Sequence, residues 1–208
     1  MAERIYFYVE DGRVKTGSVS FEWFPGFSVS QKQKSIASMH KAISKAGKTP
    51  LEVSTKSPER LGQMLSAFNL KLGGHYLENV FQAGKVFTGG GPYTDLLEVA
   101  PRDAKRDERL KSSGKLVKFT YQGVDWPLEP KTVFYDWLYY NAVRESIPAE
   151  MLEELKQYNA FTDIEFNPNK SINTQARSIA IVRSYLDIKN ELLDITSEDF
   201  INLHFLVW

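Results

Sequence analysis

Residues 76–87, YLENVFQAGKVF, constrain the fold and chemistry of this 208-residue chain more than any other stretch. The spacing of their apolar residues predicts one buried helix over 76–87. Glu78, Gln82 and Lys85 stand at i, i+4 and i+7, so they would share a second face of that helix. A lysine beside aromatic rings can lose its charge through desolvation and become a nucleophile, and a nearby glutamate can transfer protons. The alternative interpretation is a stripe of surface charges on an amphipathic helix.

Patterns on either side of this stretch predict a helix-rich α+β single domain with a small N-terminal β-hairpin. Alternating residues around the turn pair Asp11 and Gly12 predict the hairpin. Helices are predicted over 31–46, 57–65, 103–111, 132–144, 148–158 and 174–186, a strand over 116–121, and short mixed structure over 195–208. We expect one domain over 1–208, in which 1–50 form an extension and 51–190 form the core.

The composition excludes several classes of protein. Hydrophobic residues make up 42% and charged residues 25%, which is typical of a globular domain. No apolar run is long enough to span a membrane, and no signal peptide is visible. The absence of cysteine excludes disulfides and thiolate metal sites and favours a cytoplasmic location. The three histidines are far apart in the sequence, so we expect no metal and no cofactor.

The net charge of zero conceals an uneven distribution along the chain. Residues 1–120 hold 19 basic and 12 acidic residues, whereas residues 121–208 hold 7 and 14. The predicted helix over 31–46 carries four lysines and no acidic residue. This charge pattern fits either a solvated helix face or a contact with a nucleic-acid backbone.

Two further groups of polar residues are candidates for ligand binding. Asp163 and Glu165 would point the same way on a strand, with Asn167 and Asn173 close behind them. These side chains could hold ribose hydroxyls, or they could serve turns and helix capping. The loop Gly89-Gly90-Gly91, which precedes Tyr93, could cradle a diphosphate with its amides, or it could be an ordinary loop.

Aromatic residues offer a second kind of contact. Trp126 and Tyr135, the latter followed by Asp136, could stack on a base, or they could belong to the core. The residue types alone leave both interpretations open.

Several sequence blocks together resemble the NADAR family. SAFN at 66–69, YLENVFQAGKVF at 76–87 and SINTQAR at 171–177 are similar to its general signature. QKQKSI at 31–36, GGPY at 90–93, WPL at 126–128, KTVFYDWL at 131–138 and AFTDIEFNP at 160–168 resemble the NADAR antitoxins encoded beside DarT-type DNA ADP-ribosyltransferase toxins. The general family has Trp-Gly in the last of these blocks, where this sequence has Phe166-Asn167.

The resemblance implies an antitoxin N-glycosidase that removes ADP-ribose from the exocyclic amino group of guanine in DNA, with the toxin as its operon partner. It implies Glu78 for proton transfer, Lys85 for attack on the anomeric carbon, and Asp163 as the alternative acid. ADP-ribosylated DNA and ADP-ribose would be contacted by Asn69, Gln82, Gly89, Gly90, Gly91, Tyr93, Trp126, Tyr135, Asp136, Glu165, Asn167 and Asn173.

Two other functions fit the same residues. One is a non-catalytic module that binds ADP-ribose, modified DNA or the toxin. The other is a NADAR N-glycosidase that acts on small intermediates of flavin metabolism.

Overall fold

The structure is a computed structural model that describes residues 1–166 and 174–206. Its strands are β1 (Ala2–Glu10), β2 (Arg13–Phe21), β3 (Pro50–Glu52), β4 (Lys71–Leu72), β5 (His75–Tyr76), β6 (Lys85–Phe87), β7 (Leu116–Tyr121), β8 (Val124–Trp126) and β9 (Ala160–Thr162). Its helices are α1 (Val29–Ser44), α2 (Arg60–Met64), α3 (Leu77–Ala83), α4 (Pro101–Arg106), α5 (Arg109–Ser112), α6 (Val133–Ser146), α7 (Ala149–Leu155), α8 (Gln175–Lys189) and α9 (Ser197–Leu206), with a 3-10 helix at Thr94–Glu98. The α+β prediction is confirmed.

The N-terminal hairpin is present as the sequence predicts. Asp11 and Gly12 take positive φ angles of 54° and 68°, which a two-residue turn between antiparallel strands requires. The sheet has the order β2-β1-β9-β3, with β1 antiparallel to β9 and β9 parallel to β3. The extension expected over 1–50 therefore shares one sheet with strands from the rest of the chain.

The centre of the core is built by α6 and α8, which pack against each other. Phe134, Tyr139 and Tyr140 on α6 are almost completely buried, as are Ile179 and Val182 on α8. Burying each large apolar side chain stabilises the fold by about 1.5–3 kcal/mol. The two helices therefore hold in place the elements that pack against them.

Three of the predicted elements are wrong in their extent. The helix predicted over 76–87 ends at Ala83, and Lys85 begins β6 instead. The helix predicted over 103–111 is broken at Asp107 into α4 and α5, because the side chain of Asp107 caps the amide of Arg109. The C-terminal residues form helix α9 rather than mixed structure, and Thr196 caps its first turn by accepting from the amide of Asp199.

Gly84 ends α3 because β7 passes directly beside it. The amide of Thr120 donates to the carbonyl of Gly84 at 2.8 Å, and a Cβ on Gly84 would lie 2.6 Å from the Thr120 carbonyl oxygen. The close approach forces the chain out of the helix and into β6, where Lys85 pairs with Phe119. Glycine is the residue that permits this contact.

We expect Gly84→Ala to destabilise the fold by about 1–3 kcal/mol, because the added methyl group overpacks the contact with β7. In a domain of this length that loss lowers Tm by roughly 2–4 °C per kcal/mol. Thermal unfolding followed by circular dichroism measures the change. An unchanged Tm would show that β7 moves aside at little cost.

Within the described residues, no helix is long and apolar enough to cross a membrane.

Candidate functional site

The three polar residues of the 76–87 stretch meet although the helix ends before the third of them. Glu78 and Gln82 lie on α3, and the Gln82 Nε2 group donates to Glu78 Oε1 at 2.8 Å. Lys85 Nζ reaches back from β6 and donates to Gln82 Oε1 at 2.6 Å. Because the chain turns at Gly84, Gln82 links the carboxylate and the amine in one hydrogen-bonded line. We call these three side chains the Glu78–Lys85 line.

The Glu78–Lys85 line is largely shielded from water, and Lys105 Nζ lies 3.5 Å from Glu78 Oε1. The side chain of Glu78 is 5% exposed, and Lys85 Nζ lies 4.7 Å from the centroid of the Phe81 ring. Burial lowers the pKa of Lys85 to about 8, although the Glu78 carboxylate acts in the opposite direction and Lys105 adds to the lowering. A useful fraction of Lys85 is therefore neutral near pH 7–8, which a lysine nucleophile needs.

Asp163 lies in the turn after β9, and the prediction that it shares a strand face with Glu165 is wrong. The strand ends at Thr162, where Asp163 Oδ1 accepts from the amide of Glu165 at 3.0 Å and closes a turn. Glu165 is exposed and pairs with Lys32 at 3.3 Å. The two carboxylates therefore have different surroundings.

Gln175 connects Asp163 to the segment that precedes α3. Its Nε2 group donates to Asp163 Oδ2 at 3.1 Å, and its Oε1 accepts from the amide of Ala67 at 2.6 Å. The Ala67 carbonyl in turn accepts from the amide of Glu78 at 3.1 Å. This chain of contacts connects the Asp163 turn to the backbone of Glu78, the first residue of the Glu78–Lys85 line.

Glu52 is a buried carboxylate that the sequence interpretation missed. It lies on β3 and accepts hydrogen bonds from Ser54 Oγ, Thr162 Oγ1 and the Ile164 amide at 2.6, 2.6 and 2.9 Å. Burial raises the pKa of Asp163 to about 7, and the Glu52 charge adds to that rise. An acidic residue inside the apolar run Leu51-Glu52-Val53 was the signal that could have identified it.

Tyr135 lies near enough to Glu78 and Asp163 to feel the charge of both. Its ring packs edge-on against Phe81 with the centroids 5.0 Å apart, and it is 5% exposed. Burial raises the pKa of the Tyr135 hydroxyl well above its usual value, and Glu78 and Asp163 both add to the rise. A small cleft opens beside it, lined by Phe81, Phe119, Pro127, Leu128, Pro130, Thr132, Phe134 and Tyr135.

Asp136 is the centre of a buried network rather than part of that cleft. It is 1% exposed, and Thr132, Ser178 and His204 contact its carboxylate at 2.7, 2.6 and 3.0 Å. Arg177 forms an ion pair with the same carboxylate. Burial alone would raise the pKa of Asp136, but Arg177 and the hydrogen bonds lower it overall. These contacts join α6, α8 and α9 and favour a structural role.

Trp126 is also placed in the core. It is 2% exposed and packs against Trp137 and Phe134 with centroids 4.9 and 5.6 Å away. Of the two interpretations left open for Trp126, this position favours the core over base stacking.

The glycine loop is a tight turn with little free backbone. The Gly89 amide donates to the Ser113 carbonyl at 2.9 Å, and the Gly90 amide donates to the Phe87 carbonyl at 3.4 Å. These two amides are therefore not available as a diphosphate cradle in this conformation. Beside the loop, the Tyr93 hydroxyl bonds to Ser113 Oγ.

The remaining predicted binding residues are less closely connected to the site. Asn69 is exposed and donates from Nδ2 to the Gln63 carbonyl at 2.7 Å. Gly91 lies two residues before Tyr93. Asn167 and Asn173 lie outside the described residues. The substrate contacts assigned to all of these residues stay predictions.

Comparison with known protein families identifies the family to which the chain belongs. Residues 2–206 match the family model described as DarT1-associated NADAR antitoxin, so the chain is a NADAR protein. It belongs to the DarT1-associated NADAR antitoxin family, which confirms the resemblance based on the sequence blocks. No curated protein sequence matched the chain.

Proposed function

We propose that this antitoxin is an N-glycosidase that hydrolyses ADP-ribose from the exocyclic amino group of guanine in DNA. The observation that carries the proposal is the Glu78–Lys85 line, in which a buried carboxylate and a desolvated amine are linked through Gln82. Membership of an antitoxin family associated with the DarT1 toxin supports it. The substrate would lie in the cytoplasm, where the protein would act.

The bond to be broken joins the anomeric carbon of the distal ribose to the exocyclic nitrogen of guanine. Hydrolysis adds the hydroxyl of one water molecule to that carbon and a proton to the nitrogen. The products are free ADP-ribose and unmodified guanine. Acid assistance at the nitrogen and a nucleophile at the carbon both lower the barrier.

Lys85 would supply the nucleophile in this scheme. Its neutral amine adds to the anomeric carbon while the sugar ring opens and the guanine amine leaves. The two protons that the Lys85 amine loses end on the ring oxygen and on the guanine nitrogen, and an imine joins Lys85 to the sugar. Water then hydrolyses the imine, which regenerates Lys85 and releases ADP-ribose.

Glu78 and Asp163 would carry the protons in this scheme. Gln82 holds Glu78 near Lys85, so Glu78 can accept a proton from the attacking amine through one water molecule. Asp163 has its pKa raised to about 7 by burial, so about half of it is protonated at neutral pH and able to act as an acid. The two carboxyl groups can thus divide the proton transfers between them.

The deciding experiment is incubation of the protein with an oligonucleotide that carries ADP-ribose on guanine. Release of many equivalents of ADP-ribose per protein supports the enzyme, whereas protection at one equivalent supports a binding module. Glu78→Gln should lose turnover and still bind ADP-ribose. A parallel panel of small flavin-pathway N-glycosides tests the third function, since turnover of those alone would contradict the proposal.

The pH dependence of release should reflect both titrating groups. Release requires neutral Lys85, whose pKa is about 8, and protonated Asp163, whose pKa is about 7. The rate should follow the product of the neutral fraction of Lys85 and the protonated fraction of Asp163. This product rises with pH up to about 7, is flat to about 8, and falls above that value. Initial rates measured across this pH range check the expectation.

Asp163→Asn tests whether Asp163 is the acid. The variant should be slower and should lose the fall above about pH 8, because no acid remains to be deprotonated. A fall that persists in Asp163→Asn would assign the acid role to another group, with Glu78 as the first alternative.

A further inference from the structure

Glu52 binds both of the residues that flank Asp163. Its Oε2 accepts from the Thr162 hydroxyl at 2.6 Å, and its Oε1 accepts from the Ile164 amide at 2.9 Å. The backbone adds a contact at the same place, since the Val53 amide donates to the Thr162 carbonyl at 2.8 Å. The turn that carries Asp163 is therefore held against β3 on both sides of Asp163.

The donors around Glu52 favour its charged form. Ser54 Oγ also donates to Oε1, at 2.6 Å, so within the described part of the chain the carboxylate accepts from two hydroxyl groups and one amide. A carboxylate that accepts several hydrogen bonds is stabilised as the anion even where water is excluded. Burial raises the pKa of Glu52, and all three donors act against that rise.

His40 supports the charge on Glu52 from a greater distance. The Thr162 hydroxyl has one proton and donates it to Glu52, so it accepts from His40 Nε2, which lies 2.9 Å away. Burial lowers the pKa of His40 to about 4, so the ring is neutral and carries its proton on Nε2. The order of donors from His40 through Thr162 thus ends on a Glu52 oxygen that carries no proton.

Asp163 has weaker support for a charge. Its two oxygens accept from the Glu165 amide at 3.0 Å and from Gln175 Nε2 at 3.1 Å, and neither donor is a hydroxyl group. When two carboxyl groups are buried near each other, one ionises and the other retains its proton. Burial and the Glu52 charge accordingly raise the pKa of Asp163 to about 7.

The other titratable groups around this pair have a smaller effect on Asp163. Among the described residues they include Glu165 in the same turn, His40 and Lys32 on α1, and Tyr135 and Tyr139 on α6. The two phenols and the imidazole are neutral near pH 7, because burial opposes their charged forms. Glu165 is 46% exposed and contacts Lys32, so its charge is screened. Glu52 differs from all of these groups in being both buried and charged.

We propose that Glu52 is a positioning residue for Asp163, whose charged carboxylate fixes the turn on both sides of Asp163 and keeps the transferable proton on the Asp163 carboxyl group. The proposal rests on the proposed function for the use of that proton in releasing ADP-ribose. The side chain of Glu52 is completely buried, so it acts through Asp163 rather than by touching the substrate.

The first test follows the two carboxyl groups in the unmodified protein and needs no catalysis. NMR of isotope-labelled side-chain carboxyl groups, assigned through bonds to each backbone, records the pH at which each group loses its proton. Glu52 should deprotonate at a lower pH than Asp163, whose midpoint should lie near 7. The opposite order would overturn the proposal, because Asp163 would then hold the charge.

Glu52→Gln removes the charge and keeps the size of the side chain. The pKa of Asp163 should fall, so the flat region of the pH profile should start below about 7 and still end near 8. Each pH unit of that extension should lower the maximum rate about tenfold, because the protonated fraction of Asp163 falls by that factor. A merely structural role for Glu52 would lower the rate and leave the start of the flat region near 7.

Two variants control this measurement. Glu52→Asp keeps the charge, so the flat region should again start near pH 7. Glu153→Gln removes a glutamate that is 68% exposed and pairs with Lys156, and it should match the unmodified protein in rate and profile. If Glu52→Gln does not fold by circular dichroism, the order of deprotonation in the unmodified protein decides the question.

The outcomes separate this proposal from the proposed function. If the unmodified protein releases no ADP-ribose, the proposed function is wrong, and the NMR titrations still test whether Glu52 keeps the proton on Asp163. If ADP-ribose is released but the pKa of Asp163 is unchanged in folded Glu52→Gln, the positioning role alone is wrong.

Discussion

Lys85→Ala should lower the release of ADP-ribose from modified DNA by roughly 10³-fold, the middle of the range for losing one group that takes part directly in the reaction. The physical reason is the desolvated amine, which burial against Phe81 keeps partly neutral. Initial rates with a modified oligonucleotide measure the loss. Borohydride reduction during turnover should trap a covalent ADP-ribose adduct, and peptide mass analysis should locate it at Lys85.

Two variants sharpen the interpretation of Lys85→Ala. Lys85→Arg keeps the positive charge but cannot become a neutral nucleophile, so it should be as inactive as Lys85→Ala. Lys189→Ala removes an exposed lysine from the end of α8 and should keep full activity. If Lys85→Arg retains turnover and no adduct forms, the covalent step is excluded and Lys85 serves as an electrostatic group instead.

Asp136→Ala should destabilise the fold by about 3–5 kcal/mol, because it removes the carboxylate from a buried ionic network. His204 would then stay buried without the carboxylate that it contacts, and Arg177 would lose its contact with the same carboxylate. At about 2–4 °C per kcal/mol for a domain of this length, the fall in Tm is roughly 10 °C. Thermal unfolding in the absence of ligand measures it.

Asp194→Ala is the matched control for the Asp136 variant. Asp194 also pairs with an arginine, since Arg144 lies 3.1 Å away, but its side chain is 84% exposed. Water screens such a surface pair, so the substitution should cost at most about 1 kcal/mol. Equal losses of stability in the two variants would contradict the role of the buried network.

The stabilising effect of Asp136 should also depend on pH, with a definite sign. The pKa of Asp136 is lowered in the folded protein, so its contribution is present above the unfolded value of about 3.9 and is lost as pH falls through the lower folded value. The difference in Tm between the unmodified protein and Asp136→Asn should therefore shrink only in acid. A difference that shrinks at neutral pH would indicate that another group dominates.

The sequence correctly predicted the elements that local patterns determine. The hairpin follows from Asp11 and Gly12 at a turn between alternating strands, and α8 follows from Thr174, which caps it by accepting from the Ala176 amide. Both depend on contacts between residues close in the chain, which periodicity and capping residues report directly. The helix breaks at Gly84 and Asp107 were missed, since they depend on neighbouring strands and on one side chain.

The candidate site likewise depends partly on local sequence and partly on contacts between distant segments. The sequence identified Glu78, Gln82 and Lys85 as neighbours, and they are neighbours, but for a different reason than helical spacing. Gly84 turns the chain against β7, and Lys85 then reaches back to Gln82 from β6. Glu52 and Gln175 could not be connected to Asp163 from the sequence, because they are 111 and 12 residues away from it along the chain.

By itself, the sequence determined the family, the α+β class and the residue types available for proton transfer and attack, because these are carried by composition, periodicity and ordered motifs. Only the tertiary structure decided which of those residues are buried together. It placed Trp126 and Asp136 in the core, connected Asp163 through Gln175 to the segment before α3, and left Phe27 in solvent. The physical reason is that desolvation and hydrogen-bond partners depend on packing between distant segments, and these two factors set the charge and reactivity of every side chain at the site.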